Sequence, residues 1–392
     1  MSALAEPATG GDTRHVPPRV SSPEFVGRAA ELEVLEAALA RAEGGVAGAV
    51  FVCGESGIGK TRLLRELERR AADRGARVMR GECPAFGAGE LAYAPIASAL
   101  RRLERELEPV AFEAFVGPAR EELARLVPEW SAATMPSDAA ASGDAFAQAR
   151  LFGMLRGLLD RVAADAPLLV AVEDLHWADR STLELLSSLL RGLRDERVLL
   201  VCTYRSDELH RRHPLRPFVA EEERREGVQR VELEPFSPAE LAAQVAGILG
   251  DDADPGLVAR LHARCGGNAF FAEELLAASG GAAGPLPPTL RELLGLRLEA
   301  LPQDARAVLR VAAAAGAQAG HQLLATVVAL PETALLEALR QAVAQHVLVH
   351  DSDGYAFRHA MLEEAAYADL LPGERTALHL ALAEALSAEL GF

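Results

Sequence analysis

The sequence predicts an α/β domain built on a parallel sheet, followed by a helical lid domain and then a winged-helix-like domain. Three observations carry this. Short apolar runs alternate with helical patterns as far as residue 236, the strand patterns then stop, and one hairpin pattern near residue 350 follows a long helical stretch. With 392 residues, 50% hydrophobic and only 5% aromatic, the chain has enough apolar material for two or three domains with aliphatic cores.

Residues 1–22 are rich in Pro, Gly and polar residues without periodicity, and read as a disordered tail. FVGRAAELEVLEAALARA, from Phe25, has helical spacing. AVFVCG (49–54) reads as a buried strand and TRLLRELERRAADRG (61–75) as an amphipathic helix closed by Gly75. ARVMRGEC (76–83) is a second strand. Residues 91–165 are mostly helical around a low-complexity loop at 130–144. PLLVAVEDL (167–175) is a strong buried-strand signal, and a helix over 181–193 opens with Ser181 and Glu184 at capping-box spacing, although Asp179 also suits a helix N-cap. RVLLVCTYR (197–205) and VQRVELEPF (228–236) complete the strands. Strands alternating with helices imply a parallel sheet covered on both faces.

After Phe236, Ser237, Pro238 and Glu240 form an N-cap signature. The expected divisions are a sheet domain at 23–236, a helical domain at 237–285, a winged-helix-like domain at 286–365 ending in the hairpin HVLVHDSDGYAFRH (346–359), and the start of a helical repeat at 366–392. The apolar face of that last helix is expected to find little to cover.

The net charge of −17 argues against non-specific nucleic-acid binding, which needs a basic face. Residues from 291 onward carry seven arginines against thirteen acids. Cys53, Cys83, Cys202 and Cys265 are scattered without a CxxC, and no signal pattern or membrane-length apolar run is present. A soluble, cytoplasmic protein with no membrane partner is the expectation.

GESGIGKTR (54–62) carries the chemistry. Gly54 and Gly59-Lys60-Thr61 stand at P-loop spacing, after a predicted strand and at the start of a predicted helix. Glycines there let backbone N–H groups fold around phosphate oxygens, and the helix N-terminus favours an anion. Gly54, Glu55, Ser56, Gly57, Ile58, Gly59, Lys60, Thr61 and Arg62 are the expected phosphate contacts, with Thr61 also a Mg²⁺ ligand. Lys60 is the one lysine in a chain with forty Lys and Arg. A compact ammonium on a flexible stem fits between phosphates where a planar guanidinium does not. Glu173 and Asp174 end a strand as a Walker-B-type pair, with Glu173 expected at Mg²⁺ and Asp174 as base. Arg205 ends the next strand, where it can sense a γ-phosphate, since ligands of parallel sheets lie at strand carboxyl ends. An α/β P-loop NTPase is the fold class these residues select, and ATP/ADP with Mg²⁺ are the expected ligands.

FVGRAAEL, GESGIGKT, EDLHWAD, TYR, GGNAFFAEELL and FRHAMLEEAAYADLLPGERTALH, in this order, resemble the STAND-class signal-transduction ATPases, and within them the N-terminal ATPase region of large LuxR-family, maltose-regulator-like transcriptional regulators. The resemblance covers about residues 23–392. It implies that Val26 and Arg28 lie against adenine, that Arg205 is the sensor arginine, and that His359 touches the β-phosphate of ADP. One departure is Ala269, where relatives place proline between Asn268 and Phe270. The implied activity is slow ATP hydrolysis serving a switch, with self-association in the ATP state, an unidentified inducer, and DNA contact only through a C-terminal domain absent from this chain. An initiator-like ATPase that binds DNA through its winged helix, and a small-molecule P-loop kinase, are the competing readings.

Overall fold

The structure, a computed structural model, describes residues 21–84, 92–130, 145–210, 213–250, 252–278, 284–316, 318–350 and 354–390. Most of the expected tail and the loop at 131–144 lie outside the described residues, as do 351–353 of the hairpin turn. Ser21 and Ser22 do not continue a tail. Ser22 is only 4% exposed.

The elements run α1 (Ala29–Glu43), β1 (Gly48–Gly54), α2 (Lys60–Asp73), β2 (Arg77–Glu82), α3 (Ala94–Glu106), α4 (Pro109–Val116), α5 (Arg120–Leu123), α6 (Ala145–Asp165), β3 (Leu168–Glu173), α7 (Arg180–Gly192), β4 (Val198–Arg205), α8 (Leu215–Glu222) and β5 (Val228–Glu232). Then follow α9 (Pro238–Leu249), α10 (Pro255–Cys265), α11 (Ala269–Ala277), α12 (Pro288–Glu299), α13 (Gln303–Ala315), α14 (His321–Val328), α15 (Glu332–Ala344), β6 (Leu348–His350), β7 (Tyr355–Phe357), α16 (Ala360–Ala368) and α17 (Pro372–Leu390).

The five-stranded sheet has the order β2-β3-β4-β1-β5, and every pairing is parallel. Side chains alternate across β1. Phe51 and Cys53 pack under α3, α6 and α7, whereas Val50 and Val52 pack under α1 and α2. Burial on both faces explains why the strands read as continuous apolar runs. The register sets Gly54 beside Arg205 and Glu82 beside Glu173. The loop after β1 is thus one strand away from the acids that end β3, with β4 between them.

Several local expectations are corrected. α1 starts at Ala29 and not at Phe25, because Gly27 and Arg28 turn through φ of 66° and 62°. α7 is capped by Asp179, which accepts the Thr182 N–H at 3.0 Å, and not by a Ser181 box. Glu184 instead accepts from Arg180 at 2.8 Å. The Ser237–Glu240 capping box is present, and Gly75 follows α2 with φ 81°.

Beyond β5 the chain is mostly helical. α9 to α17 share one contiguous core running from Phe236 to Leu382. α17 covers α13 and α14 through Leu378 and Leu382, which gives its apolar face more to cover than expected. β6 and β7 pair antiparallel, and Ala319 bridges to Tyr355 beside them. No single helix among the described residues is long and apolar enough to cross a membrane.

Candidate functional site

The loop after β1 closes around its own lysine. Lys60 Nζ donates to the carbonyls of Gly54 and Glu55, both at 2.8 Å. Burial pushes its pKa down to about 8, and nearby Arg205 adds to this while Asp207 and Asp174 oppose it. Gly54, Gly57 and Gly59 take φ of 153°, 79° and 108°. At Gly57 a Cβ would come within 2.8 Å of Asn268 Oδ1 and 2.9 Å of Phe270 Cβ. A side chain there would collide with the start of α11. No side chain caps the first turn of α2, so the N–H groups of Lys60 and Thr61 are left for an anion.

A cavity of about 780 Å³ opens over this loop, within the roughly 300–1,000 Å³ range of small-molecule sites. Ser56, Gly57, Ile58, Gly59, Lys60, Thr61 and Arg62 line its floor, and Asp174 and Arg205 reach it from the strand ends. Val26, Arg28, Phe236 and Phe270 give it an apolar end. Arg28 is the hinge of that wall. Its guanidinium donates to the Ile58 carbonyl at 3.1 Å, pairs with Glu31 at 3.1 Å and lies 4.7 Å from the Phe236 ring centroid. Ala269 also lines the cavity, directly after the Asn268 N-cap.

The two strand-end acids part company. Asp174 turns through φ 55° and faces the cavity, with its N–H donated to Thr203 Oγ1 at 3.1 Å. Burial raises its carboxyl above the usual range, against the pull of Arg205 and Lys60. Glu173 is 2% exposed, ion-paired with Arg80 of β2, and outside the cavity lining. Its expected place at a metal is therefore not where its side chain lies. Arg205 is held by Glu208 at 2.5 Å and stacks 4.8 Å from the Trp177 ring centroid. Its backbone N–H lies 3.4 Å from His176 Nδ1. Burial, with Arg205 and Lys60 nearby, pushes His176 down to about 3, so it is a neutral acceptor.

Residues 24–201 match the family model of the AAA ATPase domain. That match and the lysine-centred loop agree. Residues 24–201 form an AAA-type P-loop ATPase domain. An uncharacterized protein of Rhizobium meliloti (strain 1021) is 26% identical over 88% of this chain, and the chain spans about a third (35%) of that protein's length. A Walker-type ATPase of Pyrococcus abyssi, 14% identical, superposes with a TM-score of 0.51 over 90% of this chain and 98% of its own. It shares the fold. A Signal Transduction ATPase with Numerous Domains (STAND) protein with a tetratricopeptide repeat sensor, from Pyrococcus horikoshii, is 16% identical and more distant in shape. Its TM-score is 0.38, over 95% of this chain and 46% of its own.

The P-loop ATPase fold implies nucleotide binding, usually with Mg²⁺, and the residues present fit both. Among the described residues no group of three or more His, Cys, Asp or Glu side chains is set to hold a metal alone. A Mg²⁺ ion here would be shared with phosphate oxygens, as is usual for that ion.

Two expected contacts, Glu55 and His359, lie elsewhere. Glu55 points out of the cavity toward the C-terminal region, where Arg358 pairs with it and His359 Nε2 lies 2.8 Å from its Oε2. Burial alone would raise the Glu55 carboxyl, but the hydrogen bond and charge of His359, with Arg358, hold it at about 2. His359 therefore meets the loop's glutamate and is not at the phosphate position the resemblance implied. Arg62 donates to the Glu24 carbonyl at 2.6 Å and reaches Glu273 at 3.4 Å, so it fastens the cavity's rim. Further groups were missed by sequence reasoning. Asn268 Nδ2 donates to the Ser56 carbonyl at 2.8 Å, the Phe270 N–H donates to the Gly57 carbonyl at 3.1 Å, and Asp207 accepts the Ser56 N–H at 3.2 Å. Their partners are backbone atoms, which leave no pattern in a sequence.

Proposed function

We propose that this chain is a nucleotide-dependent switch, the regulatory ATPase module of a LuxR-type transcriptional regulator. One observation carries the switch reading: the phosphate-binding loop is itself gripped by residues far along the chain. Glu55 is held by His359 and Arg358, while Ser56 and Gly57 are held by Asn268 and Phe270. A loop that reshapes around phosphates therefore strains or relaxes the seating of the whole C-terminal region. The order of helices, the Ala319 bridge and the β6–β7 hairpin support a winged-helix-like module there. The LuxR assignment rests on the sequence resemblance.

In this reading the loop amides and Lys60 hold the phosphates, Arg205 senses the γ-phosphate, and Val26 with Arg28 frames the base. Thr61 and Asp174 would hold Mg²⁺, which supplies charge neutralisation on the phosphate oxygens. Asp174 is the base for water activation because it faces the cavity, and Glu173 fixes the strand end through Arg80. ADP favours the seated form, and ATP with an inducer favours a released form that self-associates. DNA contact belongs to a segment outside these residues. Moving such an equilibrium from 1:99 to 99:1 takes about 5.5 kcal/mol of differential binding. Hydrogen bonds to charged groups are worth roughly 1.5–3 kcal/mol each, so two or three contacts made in one state suffice.

The test is His359→Ala in the full chain. Faster ADP release and more assembly with ATP are expected, read by nucleotide-release kinetics and sedimentation. If both match the parent protein, the grip on the loop does not control the switch.

A further inference from the structure

A second cavity, of about 690 Å³, lies on the other side of the β4 end, where β4, β5 and α8 face α15, β6 and β7. Its charge runs against the molecule's. The chain carries −17 overall, yet Arg216, Arg230, Arg340, His346 and His350 all line this cavity. Two acids line it as well, and both are drawn to one arginine: Glu232 at 2.8 Å and Glu223 at 3.8 Å from Arg230. That leaves Arg216 and Arg340 without a close carboxylate. Arg216 makes no ion pair among the described residues, and Arg340 has only the loose, exposed contact with Glu337 at 3.8 Å. The lining beside them is apolar, with buried Val219 on the helix of Arg216, Leu336 and buried Leu339 on the helix of Arg340, and Tyr355. Burial lowers the pKa of His346, with Arg358 acting in the same direction, so it serves as a neutral hydrogen-bonding group.

Guanidinium groups without a close carboxylate, beside an apolar wall, recognise a molecule with one anionic head and a hydrophobic body. We propose that this cavity is a second ligand site, for a small anionic amphipathic molecule, with its head group between Arg216 and Arg340. The occupant spans the seam between the sheet domain and the C-terminal region. Tyr204 and Ser206 line the site and flank Arg205, which lines the nucleotide cavity. An effect of the occupant on nucleotide affinity rests on the switch reading; the site itself does not.

The full chain is titrated with anilinonaphthalenesulfonate and with uncharged phenylnaphthylamine, two fluorescent probes of similar apolar body. Saturable binding of the sulfonate at least about tenfold tighter than the neutral probe is expected from a charge-assisted contact. The double variant Arg216→Glu, Arg340→Glu should abolish that preference. Both side chains are exposed, so the fold does not depend on them. Equal affinity for the two probes, or a charge preference that survives the double variant, overturns the site. Loss of the preference in Lys60→Ala places the probe in the nucleotide cavity and overturns it equally. If the site holds, an ADP affinity unchanged at saturating sulfonate refutes the coupling.

Discussion

Lys60 shows why one position escaped the arginine bias of the rest of the chain. Its ammonium already sits inside the loop, bonded to two carbonyls at 2.8 Å. It needs only to exchange them for phosphate oxygens. Lys60→Ala is expected to reduce ATP affinity by at least about a hundredfold, the scale of one or two lost charge-assisted bonds, and Lys60→Arg should not restore it. Calorimetric titration of both variants decides this, and affinity retained in Lys60→Ala removes the site assignment. The pH dependence has a definite sign. Free Lys60 titrates near 8, whereas a phosphate-bound ammonium stays protonated. Affinity should therefore be flat below pH 8 and weaken above it, by up to about tenfold per unit. An affinity that strengthens above pH 8 contradicts this. Ala269 supplies another test at this scale. It is the first residue of α11, and Asn268 before it is extended at φ −74° and ψ 117°, so proline fits without strain. Ala269→Pro should stabilise the chain by roughly 0.4–1 kcal/mol, measured by urea unfolding; destabilisation would show that the N1 geometry is wrong.

At the scale of elements, the strands and the loop between β1 and α2 were legible because their signals are local. Apolar runs buried on both faces, glycines at fixed spacing and a lysine need no partner to be recognised. The ends of elements were less legible. Gly27 and Arg28 break a pattern that looks helical from Phe25, and two candidate caps competed at α7. Asp179 won because its backbone is extended while Ser181 is already inside the helix. Least legible was which acid faces the cavity. Glu173 is the last residue of β3, whereas Asp174 already turns through φ 55°, so their side chains part, and the ion pair with Arg80 marks the side that Glu173 takes. α11 is also more than a helix of the lid. Its cap residue Asn268 accepts the Phe271 N–H at 3.3 Å and donates to the Ser56 carbonyl at 2.8 Å. Asn268→Ala therefore loses a cap worth about 1 kcal/mol and unseats the loop. Its melting temperature and its ATP affinity should fall together. A fall in stability alone would make Asn268 a cap and nothing else.

At the scale of the whole molecule, the contact of Glu55 with His359 and Arg358 joins residues 304 and 303 positions apart. It is where the seating of the C-terminal region becomes chemistry that can be titrated. Glu55 is held at about 2 against an ordinary 4.5. A carboxylate whose folded pKa is depressed contributes stability that is full above its unfolded pKa and disappears as pH falls through the folded one. The window is therefore from about 4.5 down to about 2. Glu55→Gln removes the charge at every pH but leaves an amide of nearly the same shape. Above pH 4.5 the variant should melt below the parent, because a buried His359 loses its anionic partner and unpaired buried polar groups cost roughly 1–3 kcal/mol. As pH falls toward 2 the parent's own carboxyl is protonated, and the two melting curves should converge. Other acids titrate in the same window, but they do so in both proteins, so the difference between the two curves isolates Glu55. A gap that stays constant from pH 6 to pH 3 would mean that the ion pair is not what seats the C-terminal region on the loop, and the nucleotide would then need another route to move it.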